Sequence, residues 1–192
     1  IAELGSQSTD WFDVLFRNTV STSHHLSVSG GTDKLTYYVS GGYSWNNGVV
    51  VKTSSQSANF SAKIDTRPAK WIKFGVSTDF SYQKALAPSN NVNMFKYAYF
   101  ANPYEKLYNE DGSYRADQTY FTLSKSNGNQ STPVPPNGFN IMREINETSS
   151  DATSSMFSIL GNATINIVKG LTFTGLASFT YNGDMSENIN GK

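Results

Sequence analysis

Apolar and polar residues alternate along several stretches of the chain, as they do in β-strands whose two faces differ. Between Leu35 and Trp45, every second position is Leu, Tyr, Val, Gly or Trp, and the positions between them are Thr, Tyr, Ser and Gly. Successive side chains of a strand point to opposite faces of the sheet. The pattern predicts one apolar face, which can meet a protein core or lipid, and one polar face, which can meet bulk water or a wet barrel lumen.

The same alternation recurs on both sides of this segment and predicts an antiparallel meander of about six strands. The alternating stretches are 23–32, 35–45, 58–65, 72–82, 156–167 and 171–181. Short turns at Thr32–Lys34, Arg67–Lys70 and Val168–Gly170 alternate with longer connections at Asn46–Ser57 and Ala85–Ser150. One end of the predicted sheet therefore carries tight turns and the other carries large loops.

The alternation divides the chain into five parts. Residues 1–22 are a connector in which Asp10 caps a short helix with Trp11 and Leu15 on one side. Residues 23–84 hold four strands, and 85–152 form one long irregular loop with a short helix near Val92–Ala101. Residues 153–184 form a β-hairpin, and 185–192 begin the next loop. The ends of the chain read as those of an excised fragment.

The composition fits strands with a wet but uncharged face. Ser, Thr and Asn make up 62 of the 192 residues, charged residues are 16%, and the formal net charge is zero. A neutral chain gives no indication of nucleic-acid binding. The absence of cysteine excludes disulfides and thiolate metal sites. No run of residues approaches the ~20 apolar residues of a membrane-spanning helix.

The chain offers little catalytic or metal chemistry. His24 and His25 are adjacent, so in a strand they point to opposite faces and cannot share one ion. Asn109–Gly112 is a turn sequence that lacks the spaced ligands of a calcium loop. With no nucleophile–base constellation and no phosphate-binding loop, we expect neither an enzyme nor a cofactor.

The long loop is where we expect a functional site, because a loop of this length is rarely kept for stability alone. Aromatic faces can stack on sugars or pack on a partner protein. Tyr104, Tyr108 and Phe139 flank turns and are the residues we expect to be presented to a substrate or partner. The alternative is that the loop aromatics only fold the loop on itself. The loop aromatics are Tyr97, Tyr99, Phe100, Tyr104, Tyr108, Tyr114, Tyr120, Phe121 and Phe139.

Several separated segments, in order, resemble the early barrel of the SusC/RagA-like TonB-dependent transporters of Bacteroidetes outer membranes. They are TDWFDVLFR, HHLSVSGGTDKLTYYVSGGY, KWIKFGVSTDFSY, ANPYEKLYNEDGSY, FNIMREINET and VKGLTFTGLASFTYN. The resemblance implies an all-β segment of a 22-stranded outer-membrane barrel, without its plug. It also implies import of oligosaccharides or peptides with a SusD-like lipoprotein and TonB, and an apolar face in contact with outer-membrane lipid.

One alternative remains open from the residues alone. A soluble β-sandwich that binds carbohydrate through exposed aromatics would show similar strands. If the chain is instead a barrel segment, its two sheet edges lack partners and its apolar face lacks lipid when isolated. We then expect the isolated fragment to self-associate.

Overall fold

The computed structural model describes residues 8–88, 93–117 and 138–189. It contains six strands and three short helices in these ranges. The elements in chain order are α1 (Trp11–Leu15), β1 (Ser21–Thr32), β2 (Leu35–Asn47), β3 (Ser54–Ala69), β4 (Ile72–Ala87), α2 (Met94–Phe100), α3 (Ile141–Glu147), β5 (Ser149–Val168) and β6 (Leu171–Ile189). Among the described residues, no helix has both the length and the apolar character to cross a bilayer.

All six strands belong to one antiparallel sheet in the order of the chain. Each strand pairs only with its sequence neighbours, from Ser21–Asn46 in β1–β2 to Ser149–Ile189 in β5–β6. The predicted six-stranded meander is therefore confirmed. No second sheet packs on it within the described ranges, so the alternative of a β-sandwich is wrong.

The strands are longer at the loop end of the sheet than the alternation indicated. β3 begins at Ser54, inside the expected connection Asn46–Ser57, and β6 continues to Ile189, five residues beyond the expected end of the hairpin. β4 and β5 likewise extend to Ala87 and Ser149. In the extensions of β3 and β5, small polar residues occupy both faces, so the alternation disappears although the hydrogen-bonded ladder continues.

The turns and helix starts follow local chemistry. Gly170 closes the β5–β6 turn with φ +88°, a left-handed conformation that glycine adopts without strain. The carboxylate of Asp10 accepts hydrogen bonds from the backbone N–H groups of Phe12 and Asp13, which confirms the predicted cap of α1. Asn93 and Asn140 cap α2 and α3 in the same way.

The pairing register places every long connection at one end of the sheet. The start of β1 lies beside the end of β2, and the end of β4 lies beside the start of β5. The segment before β1, the β2–β3 connection and the β4–β5 loop therefore all emerge at this loop end. The three tight turns lie at the opposite, turn end.

Candidate functional site

The sheet has the reverse of the usual exposure pattern, because its apolar side chains are the more exposed ones. In the middle of β2 to β4, Val39 (37% exposed), Phe60 and Val76 face solvent. On the opposite face Ser40 is only 8% exposed, and Ser61 is half-buried. A protein that buried its apolar face in a core would show the opposite order. The apolar face is therefore built to meet a medium outside the protein.

The sheltered polar face is held by hydrogen bonds between side chains of neighbouring strands. The hydroxyl groups of Ser44 and Ser57 lie 2.7 Å apart, and the Ser61 hydroxyl donates to the Asp79 carboxylate at 2.6 Å. Each pair joins directly opposite positions of two antiparallel strands. These contacts give the polar face an ordered, hydrophilic surface.

The three tight turns are displaced along the strands by an amount that suits a barrel. The paired residues of neighbouring strands form rows across the sheet. Counted along the strands from one row to the next, the last pair of β5–β6, Val168–Leu171, lies about four to five residues beyond the last pair of β1–β2, Thr32–Leu35. At ~3.3 Å per residue this is about 15 Å, over four strand spacings of ~4.8 Å each. If the three turns lie at the same height in a barrel, the strands must be inclined by about 40° to the barrel axis, which is within the usual range for barrels.

Aromatic residues of the apolar face form a band at nearly one height when this inclination is applied. Tyr43, Phe80, Phe157 and Phe179 then stand about nine to ten residues above the line of the turns. Along an inclined strand this corresponds to about 25 Å, the height of the apolar belt of outer-membrane barrels. All four rings are exposed. They mark the upper border of an exposed apolar belt, and exposed Trp71 lies at the turn end.

The loop end carries a small hydrophobic core of its own, formed by three helices that are far apart in the sequence. Helix α1 precedes the sheet, whereas α2 and α3 belong to the β4–β5 loop. We call this group the loop-end core; its buried residues are Trp11, Leu15, Met94, Tyr97, Ala98, Phe139, Ile141 and Ile145. The rings of Trp11 and Tyr97 meet edge to face with centroids 5.2 Å apart.

Hydrogen bonds fasten the loop-end core to the segments around it. Trp11 Nε1 donates to the Asn102 carbonyl at 3.0 Å, and the Thr9 hydroxyl donates to the Glu105 carbonyl at 2.8 Å. The Asn140 side chain donates to the carbonyls of Leu107 (2.8 Å) and Arg115 (2.7 Å). The start of the chain and both halves of the loop therefore form one packed unit.

The β2–β3 connection is part of the same unit. Val51 N donates to the Leu15 carbonyl at 3.0 Å, and Arg17 N donates to the Val49 carbonyl at 2.9 Å. The Arg17 guanidinium adds bonds to the carbonyls of Gly48 and Thr53. The described part of the long loop is thus joined, through the segment that contains α1, to the β2–β3 connection.

The three residues expected to be presented have different surroundings. Tyr104 is half exposed, and Tyr108 is exposed and packs on Tyr114 with centroids 5.6 Å apart. Phe139 is only 4% exposed and lies 5.8 Å from the Tyr97 ring. The expectation that Phe139 is presented is therefore wrong, because its ring fills the loop-end core. Tyr120 and Phe121 lie outside the described residues.

An exposed aromatic surface on α1 and α2 was not among the expected site residues. Phe12 stacks on Phe16, and Phe16 contacts Phe95 with centroids 4.7 Å apart. Tyr99 and Phe100 continue this surface along α2, and Tyr99 is 76% exposed. The helical spacing of Phe95 and Tyr99, opposite Met94, Tyr97 and Ala98, was the feature that could have identified it.

Two carboxyl groups of the loop have shifted pKa values. Hydrogen bonds from the hydroxyl and backbone N–H of Ser113 lower the pKa of Asp111, which lies in the turn between Tyr108 and Tyr114. Burial raises the pKa of Glu144 in α3. Neither group approaches a cluster of metal ligands, since the described residues contain no group of three or more His, Cys, Asp and Glu side chains that could hold an ion.

Comparisons with known proteins show relatives of one kind. No family model matches the chain. It is 43% identical over 82 residues to the TonB-dependent receptor SusC of Bacteroides thetaiotaomicron, which covers 41% of the chain and 8% of SusC. It is 28% identical over 107 residues to the TonB-dependent receptor P26 of Formosa agariphila, covering 56% of the chain and 10% of that receptor. The chain thus spans about a tenth of the length of these relatives.

Solved structures agree on the fold. The RagAB peptide importer in its closed-closed state aligns with a TM-score of 0.69 at 17% identity, over 95% of this chain and 20% of that one. A second RagAB peptide transporter structure gives 0.68 at 16% identity, with the same coverage. At such identity the likeness concerns the fold. The resemblance seen in the sequence is confirmed: the chain is similar to the SusC/RagA-like TonB-dependent receptors of the outer membrane, and its fold is that of a segment of a β-barrel wall.

Proposed function

We propose that the chain forms wall and an extracellular loop of a nutrient importer that takes up oligosaccharides or peptides. In this proposal a SusD-like lipoprotein covers the barrel at the loop end, and TonB supplies the energy for transport. The relatives support the general assignment, since they are named as TonB-dependent receptors and, for RagAB, as a peptide importer. They are receptors and transporters rather than enzymes.

The observation that carries the proposal is the exposed apolar face opposite a sheltered polar face. Val39 and Val76 on one side, against Ser40 and Ser61 on the other, suit a wall between lipid and a wet lumen. The displacement of the turns and the band of aromatic rings support the same arrangement. A wall of this kind lets a polar solute pass along the inner face.

The exposed aromatic surface of the loop end is the part that would meet the substrate or the lipoprotein. Tyr104 and Tyr108 remain candidates, and Phe95 and Tyr99 of α2 join them because they are exposed. The loop-end core holds the helix that carries these rings, so they can bind without ordering the helix first. Large rigid aromatic side chains are suited to such contacts because few rotatable bonds must be fixed.

The proposal is tested in the full-length receptor by removing exposed rings while leaving the core intact. A variant with Phe95→Ser, Tyr99→Ser and Tyr104→Ser should insert normally but lose lipoprotein co-purification, uptake, or both. A control variant with Lys106→Ser and Glu110→Ser changes exposed polar residues of the same loop and should behave as wild type. Normal lipoprotein binding and normal uptake by the aromatic variant would contradict the role of this surface.

A further inference from the structure

The polar face carries a depression of about 360 Å³ near the loop end. It lies over two adjacent rows of the sheet, one through His25, Gly42, Asn59 and Ser81, the other through Ser44, Ser57 and Gln83. Its volume is at the lower end of the range of small-molecule sites, ~300–1,000 Å³. We call it the loop-end depression.

The absence of a side chain at Gly42 leaves room for two larger side chains in this depression. A Cβ on Gly42 would overlap the Asn59 side-chain oxygen and come within 3.3 Å of His25 Nδ1. The two polar groups therefore lean over Gly42 from the strands on either side. A side chain at position 42 would displace them, so the local shape of the depression depends on this glycine.

The chemistry of the loop-end depression is uncharged and able both to donate and to accept hydrogen bonds. Among the described residues that line it there is no Asp, Glu, Lys or Arg. Asn59 and Gln83 each offer an amide N–H₂ and a carbonyl, Ser44 and Ser57 offer hydroxyls, and His25 offers an imidazole. A neutral polyhydroxylated solute, whose hydroxyl groups both donate and accept hydrogen bonds, suits this mixture. An ionised group would lose hydration there without gaining an opposite charge.

A second depression of the polar face, at the turn end, has different chemistry. It measures about 510 Å³ and its lining includes Asp33, Lys34, Asp65, Arg67 and Lys73. There a Cβ on Gly75 would overlap the Asn162 side-chain oxygen and come within 2.7 Å of an Asp65 oxygen. Each depression is lined by an asparagine whose side chain lies over a glycine of the neighbouring strand, but only the turn-end depression is lined by Asp, Lys and Arg residues.

We propose that the loop-end depression binds a sugar unit of a neutral oligosaccharide, with His25, Asn59 and Gln83 as its hydrogen-bonding groups. This inference rests on the proposed import function and assigns its substrate class. The depression opens on the polar face at the end of the sheet where the loops emerge, so a solute entering from that side meets uncharged groups before the charged turn end.

The test compares two asparagines in the full-length receptor. Asn59→Leu removes the amide in the loop-end depression, and Asn162→Leu removes its counterpart at the turn end as the matched control. The probes are a labelled pool of short neutral oligosaccharides, prepared by partial hydrolysis of polysaccharides, and a labelled pool of short peptides. Uptake by cells and binding to the purified receptor are measured, with barrel insertion checked for each variant.

We expect wild type to take up oligosaccharides and Asn59→Leu to lower their binding roughly tenfold, as expected for one or two lost hydrogen bonds. Asn162→Leu should change oligosaccharide binding by no more than about twofold relative to wild type, which is much less than the effect of Asn59→Leu. If Asn59→Leu fails to insert, Gln83→Leu provides the same comparison. Oligosaccharide uptake unaffected by both substitutions, or uptake of peptides alone, would overturn this inference while leaving import intact. Uptake of neither pool would contradict the import function itself.

Discussion

The ring of Trp11 meets the ring of Tyr97 edge to face, with centroids 5.2 Å apart and planes at 88°. This contact joins the segment before the sheet to the loop after β4. Edge-to-face pairs of this kind add to the stabilisation from burial alone. Because Trp11 also donates to the Asn102 carbonyl, it contributes both packing and a hydrogen bond to the loop-end core.

Replacing Trp11 by Ala should therefore loosen the loop end without affecting the sheet. Truncation of a buried Trp typically costs ~3–5 kcal/mol, and we expect that loss to fall on the loop-end core. Hydrogen exchange of the α2 backbone amides in the full-length receptor measures this loss of local stability. The neighbouring exposed residue provides the control, Phe12→Ala. Equal protection of α2 in wild type and Trp11→Ala would show that the three helices do not depend on one another.

Charge on the apolar face should be costly, whereas charge on the polar face should be tolerated. Val39→Arg places a guanidinium in the lipid-facing belt and should cost ~2–4 kcal/mol near the middle of the bilayer. Ser40 is too buried to serve as the control, so we choose exposed Ser27, its cross-strand partner on the same polar face. Denaturant unfolding of the full-length barrel measures the change in the free energy of unfolding for both variants. Similar losses for Val39→Arg and Ser27→Arg would contradict the assignment of the faces.

The turn around Asp111 should respond to acid. Its carboxylate has a lowered pKa because Ser113 donates two hydrogen bonds to it. The stabilisation is complete above the unfolded pKa of ~3.9 and is lost as the pH falls through the lower folded value. Exchange of the Ser113 amide should therefore rise, relative to intrinsic rates, below about pH 4. Asp111→Asn should abolish this pH dependence, and a wild-type turn that is insensitive to acid would contradict the mechanism.

The isolated chain should self-associate in plain buffer. β1 and β6 each leave one edge of the sheet unpaired among the described strands, and large apolar residues such as Phe179 and Leu176 are exposed. Sedimentation velocity should show concentration-dependent oligomers that disperse in detergent. A stable monomer at high protein concentration would contradict the view that the apolar face and the sheet edges need lipid and neighbouring strands.

The strands could be predicted from the sequence because each position of the alternating stretches contributes independently to a face. The predicted strand was too short where both faces become small and polar, as in β5 before Met156. There the pairing with β4 and β6 maintains the strand, and no alternation in the strand itself indicates it. Helix α3 was not predicted, although the sequence contains its signals. Its indications were the cap residue Asn140 and the spacing of Ile141 and Ile145.

The candidate site was predicted less well, because it depends on contacts between distant parts of the chain. Phe139 lies beside a turn in the sequence, yet its ring packs against Tyr97 inside the loop-end core. The loop-end depression depends on Gly42 being placed between His25 and Asn59 by the register of three strands. Alternation could place all three on one face but could not show that the side chains of His25 and Asn59 both lie over Gly42.

The central claim is that the apolar face meets lipid and the polar face meets water, and a cysteine scan of β2 in the full-length receptor tests it most directly. This segment has no cysteine, so once any cysteine elsewhere in the receptor has been replaced, single spin labels can be placed at each position from Tyr37 to Ser44 within the outer membrane. Collisions with oxygen should peak at Tyr37, Val39, Gly41 and Tyr43, and those with a water-soluble nickel complex at the positions between them. Equal access of the nickel complex to both sets would contradict the account.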